Sequence, residues 1–339
     1  MLVKVYEEIK KIIKENYLFF SFYFVLLATM FYPLPYYIYS GGGLIDVDKR
    51  IEIENSTESK GSYNMCYVSE MRATLPTYLI AKFIPSFDWE LVPIENLALN
   101  EEESDDDMLA RDRVFLNNGN SNAMKVAYEK AGRTILLKDK KNFVIYIDEN
   151  AVTDLKIGDD IRKVDGQEIR TLDDISTIIQ NKKAGDRVEI EIIRDEKEKK
   201  VHATLMEVEG KIMIGIAFQI SLEYETDPKL TFSFHSNEAG SSGGLMMTLS
   251  IYDKLVEEDI TKGRKIAGTG TIDEDGNVGS IGGVKYKLSG AVKKKADVFL
   301  VPLGENYDEC IKIQKEKNYD IEIIGVSTFD EALEKLSNS

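Results

Sequence analysis

Two serines and a lysine raise the question of chemistry. Ser241 and Ser242 stand between glycines in "EAGSSGGLMMTLSIYDKL", a stretch that begins at Glu238 and runs into a helical pattern. A serine hydroxyl is a poor nucleophile at neutral pH and needs a base beside it. The usual base is histidine, and the chain has only His202 and His235. His235 falls seven residues before Ser242, in or at the end of the preceding strand, and nothing else in the sequence marks it. The other available base is a lysine, which serves when burial disfavours its ammonium form. In "SIGGVKYKLSGAVKKKA", Val284, Leu288 and Ala291 recur at i, i+4 and i+7, the buried stripe of a helix. At about 100° per residue, Lys287 lies about 60° from the centre of that stripe and Lys285 about 90° away on the other side. Lys287 is therefore the better candidate, and Lys293, Lys294 and Lys295 suit a solvated last turn that complements the helix dipole.

Taken alone, "GSSGG" before a helix is a turn and an N-cap. It is not a phosphate cradle, because no G-x-x-x-x-G-K-[ST] occurs in the 339 residues, so the chain carries no built-in Walker-type ATPase. "DEDGN" is a hairpin turn whose spacing does not fit a calcium loop. The formal net charge of −16 argues against nucleic acid as a partner, which would call for a basic patch. Cys66 and Cys310 form neither a metal-ligand spacing nor a disulfide framework. No zinc site is expected, and no cofactor is needed.

The elements that must position these residues begin with a membrane anchor. Tyr17–Tyr39 is a run of 23 residues without a charge, and about 20 apolar residues span a bilayer. Tyr36, Tyr37 and Tyr39 cluster at one end, as at a membrane interface, near Pro33 and Pro35, where a helix kinks or stops. Lys4, Lys10, Lys11 and Lys14 precede the run, which predicts a cytoplasmic amino terminus and everything after about Gly41 outside the cytoplasm. A cleaved signal sequence would show a shorter apolar region. Farther on, "MRATLPTYLIAKFI" reads as a loop entering a short helix, and "EEESDDD" (101–107) as a solvated acidic loop. "FVIYID" is a strand, "LKIGDDIRKVDGQEI" two short strands around an Asp165–Gly166 turn, "TLDDISTIIQNKK" a helix capped by Thr171, and "DRVEIEIIRDEKEKKVHATLM" a hairpin. From about 209 strands and helices alternate; one helix, "GGLMMTLSIYDKLVEE", carries the stripe Leu245, Leu249, Tyr252, Val256.

These residues carry two resemblances. The run from Leu155 to Ile169, L-K-x-G-D-x-I-x-x-V-D-G-x-x-I, resembles a PDZ domain of the bacterial protease-associated kind, which implies an extended peptide bound along a strand edge. No carboxylate-binding loop precedes "FVIYID". "AGSSGGLM", "KIAGTGTIDEDGNVGSIGG" and "VKYKLSGA" resemble the proteolytic domain of the Lon protease family, and most closely the membrane-anchored, PDZ-containing Lon-like proteases of Gram-positive bacteria. In that family the nucleophile is the serine of Gly-Pro-Ser-Ala-Gly and the base is the lysine of Gly-Gly-hydrophobic-x-x-Lys. The resemblance thus implies Ser242 as nucleophile, Lys287 as base 45 residues on, Thr269 beside the lysine, and Gly240 and Gly243 in the supporting turn. Ser241 stands where the family has proline and Gly243 where it has alanine, which loosens the turn. Ala239 stands where Lon has an aspartate, as in the membrane-anchored relatives.

The implied protein is a mixed α/β (α+β) chain: cytoplasmic tip and transmembrane anchor (1–40), a membrane-proximal region packed with the protease domain (41–125), a PDZ-like domain (126–208) and a Lon-type proteolytic domain (209–339). Its implied function is ATP-independent serine endopeptidase action on extracytoplasmic peptides or proteins. Its implied partners are a peptide or protein substrate, the membrane, and further copies of the chain, since Lon-type domains assemble as rings of six. The alternative is a membrane-tethered peptide-binding scaffold whose loosened turn leaves it weakly active or inactive.

Overall fold

The computed structural model describes residues 2–338. They form two compact units, the first taking the chain to Gly41 together with Val68–Asn96, the second Gly42–Tyr67 together with everything from Leu97 on. Strands of four residues or more are numbered here.

Unit 1 opens with helices α1 (Leu2–Glu15) and α2 (Tyr17–Phe31). At about 1.5 Å per residue α2 is roughly 22 Å long, short of the roughly 30 Å hydrocarbon core. Among the described residues no single helix is long and apolar enough to cross a membrane; α1 and α2, bent by 80°, pass that test only as a pair. Helix α2 covers only the first fifteen residues of the Tyr17–Tyr39 run and ends ahead of the two prolines. Pro33 and Pro35 cannot continue a helix, and Pro33–Asp46 is strand β1. The tyrosines go to packing: Tyr36 meets the Tyr78 ring at 5.3 Å, and the Arg72 guanidinium lies 5.4 Å over Tyr37. Strand β2 (Ser62–Thr74) runs straight into α3 (Leu75–Phe83), so "MRAT" is a strand end and not a loop. Strand β3 (Glu90–Pro93) pairs antiparallel with β1, Tyr36 opposite Pro93.

In unit 2 the acidic run is not a loop throughout. Its last three aspartates open helix α4 (Asp105–Lys130). Negative charge is favourable at a helix N-terminus, and Ser104 with Asp107 closes a capping box: each side chain accepts the other's backbone N–H at 3.2 Å. Strands β4 (Thr134–Ile147) and β5 (Asp160–Val164), helix α5 (Leu172–Ile179), and strands β6 (Arg187–Arg194), β7 (Lys197–Thr204) and β8 (Ile216–Asp227) follow. They build an antiparallel sheet in the order β8-β4-β5-β6-β7. Asp165 and Gly166 take φ of 47° and 77°, the type I′ geometry of an Asp-Gly hairpin. Asp174 accepts the N–H of Thr171 at 2.8 Å at the start of α5. The core of this sheet, around Ile161, Ile190 and Ile192, reaches past residue 208 to Ile214 and Phe218.

The rest of unit 2 alternates: α6 (Gly244–Leu255), β9 (Lys265–Gly268), α7 (Val284–Lys293), β10 (Val298–Pro302), α8 (Glu305–Lys317), β11 (Glu322–Val326) and α9 (Phe329–Asn338). Helix α8 has no counterpart in the sequence reading. Strands β11, β10 and β9 are parallel, and β9 is joined by β2, with Lys265 opposite Ser62. Side chains alternate across this sheet. Met65, Ile266 and Leu300 face one core with α6, whereas Cys66, Ala267 and Val301 face another with α7. The two helices therefore cover opposite faces. The single stripe expected on α6 is corrected: every residue from Gly243 to Ile251 is buried, because α4 packs on the side away from the sheet. Val256 lies just past the helix as its C-cap.

Leu249 is fully enclosed in this core. Leu249→Ala should cost about 2–5 kcal/mol, read as a lower denaturant midpoint of the full chain in detergent with an unchanged slope.

Candidate active site

The carboxyl end of β9 is where the two faces of the sheet come within reach of each other. Thr269 and Gly270 leave the strand there, and in open α/β sheets this is the edge where sites form. The turn before α6 is fastened to them. The Ser242 carbonyl accepts the Gly270 N–H at 2.8 Å and the Thr269 hydroxyl at 3.0 Å, and the Leu245 N–H returns to the Gly270 carbonyl at 3.0 Å. From the opposite face, α7 starts at Gly283 in the left-handed conformation, φ 65°, which glycine adopts without penalty. Its first turn carries Lys287 into the gap. The Lys287 Nζ lies 3.0 Å from the Ser242 Oγ and 3.2 Å from the Thr269 Oγ1. Lys287 is only 4% exposed and Thr269 fully buried, while Ser242 is half-buried.

The structure thus brings together Ser242, Lys287 and Thr269. Lys285, the weaker alternative, is exposed and lies 4.7 Å over the Tyr286 ring. His235 is exposed in the loop after β8, and among the described residues no hydrogen bond joins it to Ser242. Also among the described residues, no three His, Cys, Asp or Glu side chains gather to hold a metal ion.

The glycines of the turn have separate reasons. Gly240 has φ +91°, a conformation costly for other residues, and donates its N–H to the Asp112 carbonyl of α4 at 2.9 Å. Gly243 has an ordinary φ of −91°. A β-carbon there would come within 2.7 Å of the Met65 Sδ, so Met65 fills the space that an alanine methyl would take. Gly244 is confined harder, since its β-carbon would stand 3.0 Å from the Ile272 backbone nitrogen.

Three further groups went unseen in the sequence. Arg50 grips Glu238, four residues ahead of Ser242, with the Arg50 Nη2 at 2.7 Å from Oε1 and the Nε at 3.0 Å from Oε2. Burial works against the Glu238 carboxylate, but Arg50 and the His235 backbone N–H outweigh it and hold its pKa below the usual range. Arg113 of α4 donates to the Ser236 carbonyl, and Gly119 lets α4 approach Ser241, where an added β-carbon would still have 3.5 Å. Cys66 is enclosed near Lys287; burial pushes its thiol up to about 12, against the pull of that amine and the Gly268 N–H. No local pattern signals these partners, because each contact joins distant parts of the chain.

The Lon protease (S16) C-terminal proteolytic domain profile matches residues 236–338, and the PDZ domain profile residues 130–205. The chain carries a PDZ domain and a Lon-type proteolytic domain. It is similar to the Lon protease of Mycoplasma mobile, 28% identical over 62% of this chain and 27% of that protein. It is also similar to the Lon protease of Campylobacter jejuni, 38% identical over 28% of this chain and 12% of that one. The chain spans about a quarter of the length of the first and an eighth of the second. Among solved structures, the PDZ domain of the SdrC-like protein of Listeria innocua aligns at 27% identity over 23% of this chain and 92% of that one, with a TM-score of 0.22. Within the PDZ domain both edges of β4 are taken, by β8 and β5, whereas β8 is the outermost strand of its sheet.

Glu238→Gln should lower kcat more than it raises KM while leaving the fold intact by circular dichroism, because the ion pair fixes a turn and not a substrate contact. In a double-mutant cycle, the cost of Gly243→Ala should shrink when Met65→Ala is also present, with a coupling of about 0.5–3 kcal/mol. Additive effects would show that Met65 does not hold the turn.

Proposed function

We propose that the chain is an ATP-independent serine endopeptidase in which Ser242 is the nucleophile and Lys287 the general base. One observation carries this reading: a nearly enclosed lysine amine 3.0 Å from a serine hydroxyl at the start of a buried helix. Burial disfavours the ammonium form. The Thr269 hydroxyl proton is committed to the Ser242 carbonyl, so toward Lys287 this threonine can only accept. One N–H of the neutral amine then goes to Thr269, and its lone pair is turned toward the Ser242 hydroxyl.

The reaction follows in balanced steps. Lys287 takes the Ser242 proton as the Oγ–carbonyl bond forms, and the tetrahedral intermediate collapses as the scissile C–N bond breaks and Lys287 hands the proton to the leaving amine. Water, deprotonated by Lys287, then attacks the acyl carbonyl, and Lys287 returns the proton to the Ser242 Oγ as the Oγ–acyl bond breaks. The Gly244 and Leu245 N–H groups are spent on the Ser241 and Gly270 carbonyls. The turn's other N–H groups, those of Ser241, Ser242 and Gly243, are the ones from which donors to the oxyanion come, each worth about 2.7–4 kcal/mol in such a place. The PDZ domain is read as the recognition module, with the outer edge of β8 offered to an extended peptide. Anchoring by α1 and α2 and an extracytoplasmic catalytic part complete the reading; the uncharged Tyr17–Phe31 helix and the lysines ahead of it support both.

The full chain in detergent should cleave an unstructured polypeptide. Ser242→Ala and Lys287→Met should each lower kcat/KM by about 10³-fold or more, and the double variant no further, since both act as one unit. Lys285→Ala should stay within about threefold of wild type. Equal turnover by wild type and Ser242→Ala, or none from either, overturns the peptidase reading. Wild-type kcat/KM should also climb with pH as the base sheds its proton, and a profile flat from neutral to alkaline pH counts against Lys287.

A further inference from the structure

Unit 1 leaves an unusual amount of apolar surface uncovered. Helix α2 has fifteen residues, none charged and none buried. Helix α3 packs beside it within the same unit and has no buried residue either. On α3, Leu75, Leu79 and Phe83 stand at i, i+4 and i+8, one stripe along the helix, and they are 41%, 44% and 68% exposed. Ile84 and Phe87, just past the helix, are exposed as well. Such a face is normally the one a helix buries, and contiguous apolar patches of this kind mark an interaction surface.

The residues at its margin say what covers it. Lys82, the only charged residue of α3, folds back over the Tyr78 and Phe83 rings at 5.6 and 5.9 Å, as a lysine does when its stem lies on apolar surface and its amine reaches water. The Trp89 ring lies tilted by 55° against Phe87, with 5.1 Å between ring centroids. Trp and Tyr collect where hydrocarbon meets headgroups. Helix α1, ahead of α2 in the chain, carries a surface pattern of its own. It is bent by 80° from α2, with exposed Val5, Ile9, Ile12 and Ile13 among lysines 10, 11 and 14, the pattern of a helix lying on a membrane surface.

We infer that the Leu75–Leu79–Phe83 face of α3, with Ile84 and Phe87, rests on a lipid bilayer at headgroup depth, as a contact separate from the α2 anchor. The inference rests on the membrane reading proposed above and adds to it a surface that orients unit 1 on the bilayer. Lipid is favoured over a second copy of the chain because the stripe lies beside α2, which is apolar all round and leaves no polar side for a protein partner to meet.

Trp89 is the only tryptophan of the chain, so its fluorescence reports on this unit alone. The full chain would be reconstituted in phosphatidylcholine–phosphatidylglycerol vesicles containing lipids brominated either near the headgroup or deep in the acyl chain, and vesicle flotation measured in parallel. The expected result is flotation, with Trp89 emission quenched at least about twofold by the shallow bromines and less by the deep ones. Leu79→Glu combined with Phe83→Glu should relieve the quenching while the chain still floats through α2. Flotation with Trp89 unquenched at every depth overturns the inference and leaves the anchor standing. A blue-shifted emission insensitive to bromine means that a second copy covers the face, and also overturns it. A chain that does not float overturns both readings. The wild-type comparison decides the matter even if the double variant fails to fold.

Discussion

A primary amine kept out of water beside a serine hydroxyl is the constraint around which unit 2 is built. Neither helix alone can supply that arrangement. The serine belongs to the helix on one face of the parallel sheet and the lysine to the helix on the other. They can meet only past the end of the strand between them, where Thr269 and Gly270 leave β9. The two donors on the Ser242 carbonyl fix the serine's main chain to that strand end, so the Lys287–Ser242 distance depends on backbone bonds and not on a flexible loop. Helix α7 is placed as firmly: Gly290 lies against the backbone of Gly43, where even a β-carbon would find contacts at 3.6 Å. A long, mobile lysine side chain thus loses its freedom at both ends.

What could be read from residue order was the chemistry that depends on local spacing. Ser242 is marked by its glycine neighbours, and Lys287 by a helical angle computed from three apolar residues; the burial of Lys287 and exposure of Lys285 follow the direction of that angle. The Asp165–Gly166 turn and the Thr171 start of α5 were legible for the same reason. Hidden were the contacts that need the fold to exist first. Arg50 and Glu238 are 188 residues apart, and strand β2 reaches β9 across a similar gap in sequence. Helix α4 was hidden differently: its aspartates and asparagines favour loops in isolation, and what keeps it helical is packing against α6 together with a cap formed from the acidic residues themselves. In the Tyr17–Tyr39 run, Pro33 and Pro35 marked where the helix stops, but nothing local showed that the residues from Pro33 on pair as a strand.

The PDZ sheet offers its free edge elsewhere than at "FVIYID". That segment, which no carboxylate-binding loop precedes in the sequence, is flanked by strands on both sides. The outermost strand comes from later in the chain, after a short hairpin that turns at Glu209 and Gly210, with Gly215 beyond it also at positive φ. Strand order in space and strand order in sequence part company here, and only the pairing shows it.

The pairing of Met65 with Gly243 bears on how such chains should be compared. A turn scored residue by residue shows a lost methyl at 243 and counts it as decay. The volume has not been lost; it is supplied from the neighbouring strand by a side chain nearly two hundred positions away. Positions 65 and 243 therefore form one packing unit drawn from two places, and each can drift only as the other compensates. A motif that spans a single loop is too narrow a ruler for a site whose filling comes from across the sheet.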